Sequence, residues 1–163
     1  MRIIEPLDVR IIESHLDQLS TGVRLNSLPW PRSEIKSFRV RLDEPDVERL
    51  VIWHEAHVHT NGSCKVIDVV PETATHDRVK SFIEGDQKLG LNPVDLRTFP
   101  GLELLVVTND PQSSILYIID GGHRSMAQFL AHKSFQDVAA FVCVHPRMLE
   151  WRNLPPRYRI VRL

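Results

Sequence analysis

The chain has 163 residues, 42% of them hydrophobic. That is enough to bury about two-thirds of the unfolded surface in one core, so a single domain is expected. A formal charge of −1, from 20 Lys and Arg against 21 Asp and Glu, removes any global electrostatic argument for a nucleic-acid or anionic-membrane partner.

The charge is uneven, with 7 Lys and Arg against 3 Asp and Glu in residues 120–163 and 13 against 18 in residues 1–119. Two cysteines, Cys64 and Cys143, are too few for a disulfide scaffold and point to a reducing compartment. The N-terminus MRIIEPLDVR lacks the apolar run of a secretion signal, and no window approaches the roughly 18 apolar residues of a membrane span. A soluble, cytoplasmic protein is expected.

In chain order, Arg2 to Ile12 alternates loosely around Pro6, which suits a short strand, a turn and the start of a helix through Leu19. Thr21 to Arg32, with Gly22, Pro29, Trp30 and Pro31, reads as irregular, and Phe38 to Leu42 alternates as a half-buried strand should. Leu50 to Val58 and Ser63 to Val70 flank Asn61-Gly62, a dipeptide that tolerates positive φ, so a β-hairpin is expected there. From His76 onward Val79, Phe82 and Ile83 recur at helical spacing, with Gly85 or Gly90 as the stop.

Leu102 to Thr108 and Ile115 to Ile119 are dense in Leu, Val and Ile, are separated by Asn109-Asp110-Pro111, and read as neighbouring buried strands. A second helix is expected from about His123 to His132, with Met126, Ala127, Phe129 and Leu130 on its apolar face. Val138 to Val144 is another buried strand, which makes the order strand, turn, helix, strand a right-handed crossover unit in outline.

The turn Asp120-Gly121-Gly122-His123-Arg124, between a buried strand and that helix, is the segment that reads as a site. Paired glycines allow a sharp bend and close approach of backbone N–H groups to a ligand, and a helix start offers unpaired donors and a positive dipole end. Arg124 adds a rigid donor fork and His123 a donor of tunable charge. Asp120, at the C-terminal end of a strand beside this cradle, is suited to binding Mg²⁺ or orienting an acceptor hydroxyl for phosphoryl transfer. The bland readings are that Asp120 caps the helix or pairs with Arg124, and that His123 is a half-buried residue bonded to backbone.

The stretch from Leu116 to Val144 resembles the ParB/sulfiredoxin-like superfamily, whose hallmark is a strand, a glycine-containing turn ending in Arg, an Ala-bearing helix and a further strand. Asp120-Gly-Gly-His-Arg124 with Ala127 carries the likeness, and Arg78-Val-Lys-Ser81 matches that family's upstream helix, which bears a basic residue and a serine three positions on. The resemblance covers residues 72–146, with residues 1–71 divergent and 147–163 a basic tail. It implies an α+β fold, a compact mixed sheet flanked by helices.

It further implies that Arg78, Ser81, Gly121, Gly122, His123, Arg124 and Ser125 surround the phosphates of a nucleotide such as ATP, ADP or CTP, with Asp120 and His123 catalytic and Asp120 the ligand of any Mg²⁺. Gly122 stands where sulfiredoxins carry the catalytic cysteine, so sulfinic acid reduction is not expected. With 17 residues after Pro146, the helix-turn-helix reader of partition proteins, and hence a partition role, is not expected. Relatives with an Asp-Gly-x-x-Arg-type turn include a free-serine kinase and proteins described as nucleases or NTPases. A nucleotide-dependent phosphotransferase acting on a small acceptor, or an NTP hydrolase, is therefore expected. A nuclease or DNA-associated regulator is the alternative, and near-neutral charge counts against it.

Three other groups invite a functional reading. His54, His57 and His59 with Cys64 and His76 would suit zinc if His57 and His59 shared one face of a strand and the Asn61-Gly62 turn returned Cys64 to them, but ordinary polar residues on an exposed face are favoured. Trp30 and Trp151 could stack a base, although aromatic residues beside prolines more often pin a loop to the core. Arg147, Arg152, Arg157, Arg159 and Arg162 could track nucleic acid, or simply form a solvated face.

Overall fold

The computed structural model describes residues 1–12, 28–88, 103–133 and 138–161. Its strands are β1 (Arg2–Leu7), β2 (Lys36–Leu42), β3 (Leu50–Val51), β4 (Glu103–Thr108), β5 (Leu116–Asp120) and β6 (Val138–Val144). The helices whose bounds are described are the short α1 (Glu44–Val47), then α2 (Asp77–Lys88) and α3 (Gly122–His132), and residues 9–12 are helical as well. Among the described residues the strands form one mixed sheet in the order β1-β2-β6-β4-β5-β3. The fold is α+β, and no described helix is long and apolar enough to cross a membrane.

The sheet explains why its central strands read as unbroken apolar runs. Side chains alternate between the two faces of a strand, and here both faces are covered. Leu104 and Val106, Leu116 and Ile118, and Ala140 and Val142 join one core with Val79 of α2 and Met126 and Ala127 of α3. Leu105 and Val107, Tyr117 and Ile119, and Phe141 and Cys143 join a second core on the opposite face, with Trp30, Met148, Trp151 and Leu154. Each such Leu, Val or Ile contributes about 1.5–3 kcal/mol by leaving water.

The apolar faces expected on the two helices are the ones used: Val79, Phe82 and Ile83, and Met126, Ala127, Phe129 and Leu130, all pack on the first core. Trp30 and Trp151 lie 5.8 Å apart in the second core, and Trp30 stacks on His145 at 4.3 Å. They pin loops to the sheet.

Three expectations are revised. β4 pairs antiparallel with β5 across the Asn109-Asp110-Pro111 bend, but β6 pairs parallel with β4 and not with β5. β5 and β6 therefore run in opposite senses with β4 between them, and the unit β5-α3-β6 is not a parallel crossover. The hairpin around Asn61-Gly62 keeps its turn and loses its ladder. Asn61 and Gly62 have φ of 49° and 83°, yet His54–His59 and Val66–Asp68 are 3₁₀ turns, with Val51 and Lys65 forming a lone bridge. Side-chain bonds to nearby backbone take the place of strand pairing: Thr60 Oγ1 donates to Ala56 O at 2.9 Å, and Cys64 N donates to Thr60 Oγ1 at 2.9 Å. Gly85 does not end α2, which continues to Lys88; Gly90 lies outside the described residues, as do residues 13–19 of the first expected helix and most of the irregular stretch 21–32.

At the far side of the sheet β1 is an outer strand, bulged between Ile3 and Glu5, with Pro6 opposite Phe38 of β2. Its Ile3 and Ile4 are about half exposed, at 48% and 50%. A buried polar cluster ties α1 to the β4–β5 bend. Arg49 Nη1 donates to Asp46 at 2.8 Å, while Arg49 Nε and Nη2 donate to the carbonyls of Ser113 and Pro111, both at 2.7 Å.

Candidate functional site

The site forms where β5 ends and α3 begins. Gly121 is the residue before α3, with φ 92° and ψ 6°, a left-handed conformation that favours glycine. No side chain caps the helix start, so Asp120 is not a helix cap. Asp120 instead accepts from Arg124 Nη2 at 2.9 Å, one helical turn on, and both side chains are mostly buried. Ser125 N and Oγ both donate to Gly121 O at 2.8 Å, which locks the bend from beneath.

Two depressions share this turn. The first, about 580 Å³, brings Arg78, Ser81 and Phe82 of α2 against Asp120 through Arg124. The expected pairing of the Arg78/Ser81 helix with the glycine turn is therefore realised in space. Arg78 and Ser81 are solvent-exposed on α2, as groups that receive a ligand from solvent must be. Ser125, expected among the phosphate ligands, is fully buried and committed to Gly121 O, so its hydroxyl does not line the cleft.

Gly122 lines the first depression and also answers a packing demand. A Cβ built there would overlap Cζ3 of Trp53 and lie 3.1 Å from its Cε3. The missing side chain makes room for an indole, and the Trp53 ring also meets His123 at 4.6 Å between centroids.

The second depression, about 650 Å³, shares Arg78 and Asp120 through His123 and adds Trp53, Glu55, His59, His76 and Asn153. Three imidazoles stand in series: His59 and His76 at 5.5 Å between centroids, and His76 and His123 at 5.3 Å. Burial, then the neighbouring His76 and His57, hold His59 below the usual histidine range.

The zinc arrangement does not form. His57 and His59 lie on a 3₁₀ turn and not on one strand face, and the His57 ring bonds to His54 O at 3.0 Å. Cys64 is buried, with its Sγ 3.6 Å from His54 O, and burial pushes the thiol above its usual range. Among the described residues no group of three or more His, Cys, Asp and Glu is placed to hold a metal ion.

The basic tail is also largely engaged. Arg147 Nε donates to Glu150 at 3.0 Å, Arg157 Nη1 to Gly62 O at 2.9 Å and Arg159 Nη1 to Arg152 O at 3.4 Å. Arg162 lies outside the described residues.

Trp53, His59 and His76 are the site residues that sequence reasoning missed in this role. His59 and His76 stood out as part of a histidine cluster, but with the wrong partners, and nothing in the sequence marks Trp53 as the neighbour of Gly122. No family model matches the chain, and no curated protein and no solved structure matches it.

Proposed function

We propose that the chain is a nucleotide-binding protein of the ParB/sulfiredoxin-like kind, an ATP- or ADP-dependent phosphotransferase acting on a small acceptor or an NTP hydrolase. The observation that carries this reading is one cleft shared by Arg78 and Ser81 of α2 and by Gly121 through Arg124. Its volume falls within the roughly 300–1,000 Å³ usual for small-molecule sites. In this reading the guanidinium groups of Arg78 and Arg124 take phosphate oxygens, the N–H groups at the start of α3 take another, and Ser81 donates its hydroxyl.

Asp120, on the edge shared by both depressions, orients an acceptor hydroxyl or water and receives its proton. Arg124 holds that carboxylate in place. Mg²⁺ carried by the nucleotide would take Asp120 as its protein carboxylate, an ordinary donor set when the phosphates supply the rest. The nuclease or DNA-regulator alternative draws less support, because Arg147, Arg157 and Arg159 already have partners within the chain.

The test is a panel of ATP, ADP and CTP, with and without Mg²⁺, read by calorimetry and thermal shift. A bound nucleotide at a hundred times its Kd stabilises by about 2.7 kcal/mol, and Arg124→Ala is expected to remove most of that gain. A wild-type chain stabilised by DNA and by no nucleotide overturns the reading. Full turnover by Asp120→Asn would remove its catalytic role.

A further inference from the structure

We propose that the histidine-lined depression beside the turn is a second anion site, which binds the carboxylate or phosphate group of a small ligand through His59, His76 and His123 together with Arg78. Three separate parts of the chain converge there: the 3₁₀ turn ending at His59, the entry to α2 at His76 and Arg78, and the first turn of α3 at His123. The rings follow one another at 5.5 and 5.3 Å, along a depression of about 650 Å³.

His76 Nδ1 is buried and has no hydrogen-bond partner among the described residues. A buried polar atom without a partner is costly, so the ring gains by turning toward the depression and donating to an oxyanion there. The ring spacing alone is also compatible with a metal centre, but no described triad of donors is placed to hold one.

The local charges make this site proton-dependent. The other charged groups lining it are Glu55 from the 3₁₀ turn, Arg78 from α2, and Asp120, already held by Arg124, while His57 acts on His59 from outside the lining. Imidazoles so close repel one another once charged, and that repulsion from His76 and His57, after burial, is what holds His59 low. An anion placed among them reverses the balance, since an opposite charge favours the protonated ring. Anion binding therefore takes up protons and strengthens as the pH falls.

The two depressions meet at Asp120 through His123, so a ligand gripped here by its anionic group lies against whatever occupies the first. Naming it the acceptor rests on the phosphotransferase reading. The anion site itself does not.

The experiment follows the histidine ring protons of the Ser81→Ala protein by NMR across the imidazole range, alone, with inorganic phosphate and with malonate. Removing the Ser81 hydroxyl weakens anion binding in the first depression and leaves the Asp120–Arg124 pair intact. The midpoints of His59 and His76 are expected to rise by about one pH unit, the size of shift that a neighbouring opposite charge produces, while His54, on the outer face, stays put. A response to phosphate alone identifies a phosphorylated ligand, and a response to malonate alone a carboxylate. Unmoved midpoints with both anions, or an equal shift of His54, overturn the proposal.

In His76→Asn the shift at His59 should disappear, while ATP affinity at about pH 8, where imidazoles are neutral, stays at the wild-type value. Failure of wild-type protein to bind ATP sinks the nucleotide reading alone, because the midpoints of His59 and His76 are read independently of it.

Discussion

The two depressions around Asp120–His123 share a backbone but are charged by different chemistry. The first rests on guanidinium groups, Arg78 and Arg124, whose charge is permanent across the physiological range. The second shares Arg78 but adds His59, His76 and the Trp53 indole, so more of its charge depends on protons. One tight turn thus borders a depression dominated by guanidinium groups and another dominated by imidazoles. What joins them is steric: Gly121 supplies the left-handed bend, and Gly122 leaves the space that Trp53 fills.

The harshest way to break the comparison is Gly122→Ala. Its methyl group would collide with Trp53, and overpacking of this kind costs about 1–3 kcal/mol. Thermal melting should show the loss, and adding Trp53→Leu should recover part of it, because the two positions are in contact and their effects do not add. Additive losses in the double variant would mean that Trp53 does not fill the site of the missing Cβ.

Gly121→Ala is expected to cost somewhat less, about 1–2 kcal/mol, the penalty of a left-handed conformation for a residue with a Cβ. It should weaken ligand binding in both depressions, as measured by calorimetry. An effect confined to one would show that the two are not built on a common bend.

The smallest effect sharpens the contrast in proton dependence. His59 is held below its ordinary value of 6.5 in the folded chain, so between the two values the unfolded chain binds more protons and stability rises with pH. The increment is fully present above about 6.5 and is lost as the pH falls toward the folded value. Chemical denaturation across this range should give a shallower acid-side decline for His59→Gln than for the wild type. Equal slopes would remove His59 from the proton-dependent half.

The legibility of the chain followed the source of each signal. β4, β5, β6 and α3 could be read because a strand buried on both faces is an apolar run, and a helix packed on one side repeats at 3.6 residues. Strand order could not, because the pairing of β6 with β4 and not β5 is a choice among apolar edges that look alike in sequence. The 54–70 region misled because Asn61-Gly62 does turn as such a dipeptide should, while Thr60 and Ser63 spend their hydroxyls on local carbonyls and leave no ladder to form.

At the site, Arg78 and Ser81 could be anticipated only through the resemblance, since their helix lies far from the turn in sequence. Ser125 was expected to face the cleft because it follows Arg124. The helical rotation that directs Arg124 back to Asp120 turns Ser125 inward. Trp53 and His76 reach the turn solely through tertiary packing.

The bulge and proline of β1 bear on what the outer edge of the sheet offers to another strand. A sheet ending in a strand with two half-exposed isoleucines offers unsatisfied backbone groups to any passing strand. Pro6 has no N–H to give to a ladder, the break between Ile3 and Glu5 interrupts the register, and Arg2 and Glu5 place charge along the strand. At the opposite border β3 is two residues long, too short to template a neighbour. Among the described residues both outer strands of the sheet thus carry features that disfavour pairing with a further strand.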